Sequence, residues 1–205
     1  MNARPPRRPE LRGGFGQTPD PDDVGPGRRE EVAHATAAAV LRRGREPGAE
    51  PPLDLVERVG LTDLADLWRD SAPGTLPGAL WTLYLLRTWC LADGAEAARL
   101  FALGSLEADV ERVVAGVVEP PGPHDVLALA DAVLTSTFRG DVAIAFERAA
   151  AFDRVIAAGR RSNAHDRAAD DPDEATRQLR LAQGNLRGAA GLEAAARAFR
   201  DGTLR

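Results

Sequence analysis

Residues 76–92 read LPGALWTLYLLRTWCLA, seventeen positions with one charge, Arg87. Trp81, Tyr84, Trp89 and the chain's only cysteine, Cys90, lie within this stretch, and the third tryptophan, Trp68, precedes it. Pro77 suits the first turn of a helix, where a missing N–H costs nothing, and Thr75 stands where a cap is needed. Asp93-Gly94 supplies a stop. With about 100° between successive residues, Leu76, Leu80, Leu83 and Leu91 share one stripe, with Arg87 in its middle and Tyr84 beside it. Thr82 lies on the other side, and so do Leu85 and Trp89. A helix apolar nearly all round is normally covered on several sides. The stretch is therefore expected to be the central helix of a bundle. A membrane span is the competing reading. Against it, the run is at the short edge of spanning length, holds an arginine near its middle and is bracketed by Asp70 and Asp93.

Upstream, Thr62 is the expected N-cap of a short helix with Leu64, Leu67 and Trp68 inward, and Pro73-Gly74 turns the chain into the central helix. Leu53, Val56 and Val59 mark another short helix before it. Arg28 to Arg43 reads as a first helix with Val32, Ala35, Ala39 and Val40 on one face, followed by the Pro/Gly linker REPGAEPP at 45–52. Residues 1–27 are rich in Pro, Gly, Arg and Asp and have almost no apolar content, which is the composition of a disordered tail.

Downstream, Ala95 to Leu103 reads as a short helix ended by Gly104. Ser105 caps the next, with Leu106, Val110, Val113, Val114 and Val117 at helical spacing. Asp125 to Phe138 is a further helix. Asp141 caps a long one with Val142, Ala145, Phe146, Ala149, Phe152 and Ile156 inward, and Gly159 is expected to stop it. Residues 160–170 are polar and read as loose. Asp171-Pro172-Asp173-Glu174 opens a last helix that reaches toward Asp201. Its apolar face is thin (Leu179, Leu186, Leu192, Phe199) and glycines 184, 188 and 191 weaken it.

No segment alternates with period two over strand length. The expected fold is all-α, an irregular multi-helix bundle around the central apolar helix 76–92, with a disordered N-terminal tail. Its parts are a tail at 1–27, a helix and linker at 28–52, a helical core at 53–159, and a loose linker with a C-terminal helix at 160–205.

The chain's 205 residues leave room for one domain with appendages. Net charge is −5, and it is uneven. Residues 53–158 hold 8 arginines against 16 acids, whereas 1–52 hold 9 against 8 and 159–205 hold 9 against 7. An acidic body repels nucleic acid and anionic membranes. All 26 basic residues are arginine. One cysteine excludes an internal disulfide and fits a reducing compartment, so a cytoplasmic setting is expected.

Catalytic signatures are missing. Val59-Gly60-Leu61-Thr62 resembles the turn of a helix-turn-helix DNA reader, but Asp66 and Arg69 stand where its second helix needs apolar residues. Asp63, Asp66 and Asp70 share a face that offers a cation too few converging ligands. His34, His124 and His165 have no metal-ligand spacing. Cys90 sits among apolar neighbours as a small core residue. No metal, cofactor or catalytic residue is expected.

Arg87 is the residue that breaks a local rule, since four leucines share its stripe. A buried guanidinium costs several kcal/mol if left unpaired. It either pairs with an acid from a neighbouring helix or forms an anion site in a pocket lined by Tyr84 and Trp81.

The blocks from Trp68 to Trp89 and from Glu119 to Val155 resemble helical proteins of high-GC actinobacteria that carry no assigned activity. The resemblance covers about half the chain and implies a cellular setting, with no mechanism. The expected function is a non-catalytic helical module that binds a protein partner or self-associates. The alternatives are an anionic-ligand protein or enzyme built on Arg87, Tyr84 and Trp81, and nucleic-acid association through the arginine-bearing ends.

Overall fold

The computed structural model describes residues 26–43, 60–115, 120–135 and 137–204, with the side chains of 26, 43 and 107–115 outside that description. The tail expected over 1–27 lies almost wholly outside the described residues, as do the linker at 45–52, the short helix at 53–59 and the side chains of the valine stripe at 110–117. Seven helices are described: α1 (Pro26–Arg43), α2 (Leu61–Trp68), α3 (Leu76–Ala92), α4 (Gly94–Ala115), α5 (Pro123–Leu134), α6 (Val142–Arg167) and α7 (Pro172–Arg200). Among the described residues there is no strand, and no helix is long and apolar enough to cross a membrane.

Helix α3 begins and ends where its residues dictate. The Thr75 side chain accepts from the Gly78 N–H at 3.2 Å, Pro77 occupies the first turn, and the Asp93 N–H closes the last turn on the Trp89 carbonyl. Around α3 pack α1, α2, α4, α5 and α7. It meets α6 through Trp89, whose ring lies 6.5 Å from that of Phe152. Leu76, Leu80, Leu83, Leu86 and Cys90 are buried from it. Leu91, placed on the inward stripe by helical arithmetic, is 55% exposed instead. It lies on the last turn of the helix, where its neighbour Cys90 is buried instead.

Trp68 is fully buried, and its indole N–H donates to the Thr36 hydroxyl at 3.1 Å, tying α2 to α1. The start of α2 differs from expectation. Gly60, at φ +90°, holds the N-cap position, and Thr62 is already inside the helix. A backbone turn that only glycine adopts without strain thus opens this helix, where a hydroxyl cap was expected.

Two glycines expected to end helices do not. α4 runs straight through Gly104 and α6 through Gly159. A Cβ at Gly104 would lie 1.9 Å from the Val155 carbonyl oxygen, and one at Gly159 would lie 1.9 Å from that of Leu100. The two glycines are therefore the crossing point of α4 and α6, where backbones touch and no side chain fits. A glycine read only from its own segment looks like a stop; its reason here is on another helix.

The loose segment expected at 160–170 is also corrected. Residues 160–167 are the last two turns of α6, with Arg160, Asn163 and Ala164 buried, and only 168–170 turn the chain. α7 then follows from Asp171, whose carboxylate accepts from the Glu174 N–H at 3.0 Å, and it packs along α6 in the most extensive helix pair of the molecule. The docking face of α7 is Ala175, Gln178, Ala182, Ala189, Leu192 and Ala196, with Asn185 half-buried on the same seam. Those positions step by three and four, the spacing of a helix–helix seam. Alanine supplies it, so the face looks thin when only large side chains are counted, and the helices approach closely.

Candidate functional site

Two arrangements stand out: an uncharged stripe on α3 and a buried polar layer between α6 and α7.

The stripe follows from the all-round apolarity of α3. Its outward positions are Trp81, Tyr84, Leu85, Thr88, Leu91 and Ala92, and none is charged. Leu85 is 47% exposed, and Trp81 and Tyr84 are half-buried. The two rings stack, 5.6 Å between centroids and 20° between planes. The Arg69 guanidinium lies 6.0 Å over Trp81 and is itself paired with Asp66. From Trp81 to Ala92 the stripe runs about 16 Å along the helix. Exposed Asp70 lies beside Arg69, and exposed Asp93 follows Ala92.

Arg87 lies beside this stripe. Its Nε donates to the Asp131 carboxylate on α5, across a pair whose side chains are 27% and 44% exposed. Tyr84 and Trp81 meet each other, Trp81 also meets Arg69, and the guanidinium of Arg87 is engaged with the acid of α5.

The polar layer went unseen in the sequence. Asp153 on α6 is 2% exposed and accepts from the Asn185 amide of α7 at 2.6 Å. The Asn185 oxygen in turn accepts from Arg160 Nε at 3.1 Å. Arg160, 7% exposed, donates through Nη1 to Gln178 at 3.0 Å, and Gln178 donates to Glu174 at 2.8 Å. The Arg160 guanidinium also lies 5.1 Å over the Trp89 ring. So the buried cation rests on two amide oxygens and an aromatic face, and the buried anion rests on an amide N–H. The two charges do not form an ion pair among the contacts described. At the margin, Arg99 of α4 grips Glu96 with two hydrogen bonds and reaches Asn163 at 3.3 Å.

Burial dominates the electrostatics of this layer. Desolvation pushes the Asp153 carboxyl up to about 7, against smaller lowering effects from Asn185 and Arg160. Desolvation also raises the Cys90 thiol to about 11, helped by the nearby Asp153 charge, so this cysteine is an unreactive thiol. Arg160 is held below the ordinary arginine range, again mainly by burial. The signal that could have found the layer is the i, i+7 pair Asp153 and Arg160, with Asn163 one turn on, on a helix whose other inward residues are apolar or glycine. It was hidden by ending α6 at Gly159.

No group of three or more His, Cys, Asp or Glu among the described residues is placed to hold a metal ion. Compared with protein-family models, with curated proteins and with solved structures, the chain matches none.

Proposed function

We propose that this chain is a non-catalytic, cytoplasmic helical module that docks a protein partner on the outward stripe of α3. The observation that carries this reading is the uncharged run Trp81–Tyr84–Leu85–Thr88–Leu91–Ala92 on the exposed side of the molecule's central helix. Exposed leucines scattered singly are ordinary, but a contiguous stripe with a tryptophan and a tyrosine is the composition of a binding hot spot. Its spacing suits a second helix laid against it. The margins favour a partner other than a second copy. Asp93 at one end, and Asp66 and Asp70 against the single Arg69 at the other, would face acidic margins in a self-pair, whereas an apolar helix with basic flanks complements them.

The test is association of the full chain with proteins of its host, followed by light scattering. Leu85→Glu together with Leu91→Glu is expected to abolish association and leave helical content unchanged. Leu106→Glu, at a more exposed leucine on α4, is expected to leave association intact. Association that survives the α3 double variant, or a chain that binds nothing, overturns the reading. A homodimer lost in the double variant keeps the surface and replaces the basic partner by a second copy.

A further inference from the structure

The polar layer stands apart from the α3 stripe and calls for its own explanation. A polar residue in a helix–helix seam can fix register, and Asn185 and Gln178 suffice for that. They do not account for Asp153. Its carboxylate is buried with one amide N–H as its hydrogen-bond partner, while the nearest cation, Arg160, directs its N–H groups to Asn185 and Gln178. The second carboxylate oxygen is pressed against the backbone of α7: a Cβ added to Gly188 would lie 2.8 Å from Oδ2 and 3.3 Å from the Thr82 methyl of α3. Glycine at 188 is thus what lets α7 close over the acid. α3, α6 and α7 converge around this carboxyl, α7 through Asn185 and Gly188.

We propose that the Asp153–Asn185–Arg160–Gln178 layer is a proton-operated latch on α7. With the Asp153 carboxyl neutral, the middle of α7 is seated on α6 and α3; with it charged, that stretch opens more readily. The reason is the cost of a charge on a side chain that is 2% exposed, held by one amide N–H and in no ion pair among the described residues. The charged and titratable groups around it have separate fates. From α3 comes Cys90, a thiol kept protonated by burial. From α6 comes Arg160, engaged by the two amides. From α4, Glu96 and Arg99 are engaged with each other. Arg177 of α7, which acts on Arg160 through space, is paired with Glu174. Asp153 is therefore the group of this layer that changes charge near neutrality, consistent with its carboxyl standing at about 7.

The experiment is native-state hydrogen exchange on the full chain, read at residues 182–192 of α7 and at 97–104 of α4 as a reference, at pH 6 and pH 8. After correction for the intrinsic rate, opening of the α7 stretch relative to the reference is expected to be about tenfold greater at pH 8. In Asp153→Asn, which keeps an acceptor for Asn185, that ratio is expected to be flat. An α7 response that persists in Asp153→Asn overturns the latch. Should that variant not fold, the carboxyl carbon shift of Asp153 in the native chain decides: a midpoint near 7 supports the latch, and a midpoint below 5 ends it.

Discussion

Helix α3 and the α6–α7 hairpin are built on opposite plans. α3 buries Leu76, Leu80, Leu83 and Leu86 among five neighbouring helices, and its one charge is met at the edge by Asp131 of α5. The hairpin buries alanine at half of its interior positions, and places a carboxylate, a guanidinium and two amides inside the seam. The first plan tolerates imprecision, because large apolar side chains repack at modest cost. The second does not, because every buried polar group must find its partner at a fixed place. A helix centred on leucine specifies that it is inside; a seam of alanine with polar rungs specifies which residue faces which.

The α4–α6 crossing tests that contrast most severely. Gly159→Ala places a Cβ into the Leu100 carbonyl with nothing flexible to yield, so α4 and α6 must separate. A loss of about 3 kcal/mol is expected from overpacking of this kind, read by urea unfolding. Leu85→Ala, at an exposed site of α3, serves as its counterpart and is expected to change stability little. A Gly159→Ala variant as stable as the native chain would mean that α6 has slack where it crosses α4, and the claim that close backbone packing fixes its position would fail.

The two regions also differ in how far they were legible. α3 could be read because hydrophobicity, the Thr75 cap, Pro77 and Asp93 all agree locally, and its bounds in the structure are Leu76–Ala92, with Gly94 opening the next helix and not closing this one. The start of α7 was legible for the same reason, since Asp171 and Pro172 act locally. The packing of α6 was not. Gly104 of α4 and Gly159 of α6 serve each other across two helices, and Ala175, Ala182, Ala189 and Ala196 bury little area each yet form the seam with α7. Arg160 looked like the first residue of a polar segment because its partners, Gln178 and Asn185, arrive from a later helix. Arg87 drew notice because its neighbours in sequence are leucines, whereas Asp153 and Arg160, far more buried, drew none.

A second difference should appear in the pH dependence of global stability. Asp153 holds its proton more tightly folded than unfolded, since burial raises its carboxyl from 3.8 to about 7. The folded chain therefore carries the extra proton between those values, and stability falls as pH rises through that window, levelling off above it. From pH 5 to pH 8 the native chain is expected to lose about 2 kcal/mol by urea unfolding, and Asp153→Asn to lose much less. The apolar packing around α3 has no part in this, so Leu85→Ala should keep the full native slope. A native chain that gains stability over the same range would place the decisive titration elsewhere.

The smallest effect is expected at the residue that first caught attention. Arg87 pairs with Asp131 at a site where both side chains keep solvent contact. A pair so exposed contributes little, because water screens it and two long side chains must be held still. Arg87→Leu should change stability by less than about 1 kcal/mol in either direction, with the leucine gaining contact where the guanidinium's stem now lies. The same variant separates two roles for the residue. If the pair is only structural, thermal melts of native and variant chains respond alike to added phosphate, sulfate and acetate. If an anion site is built there, the native chain alone is stabilised, by an amount that grows with anion concentration. Trp81→Phe then locates the effect: loss of anion stabilisation would tie Arg87 to the aromatic pair, and its retention would leave Trp81 to the stripe and Arg87 to Asp131.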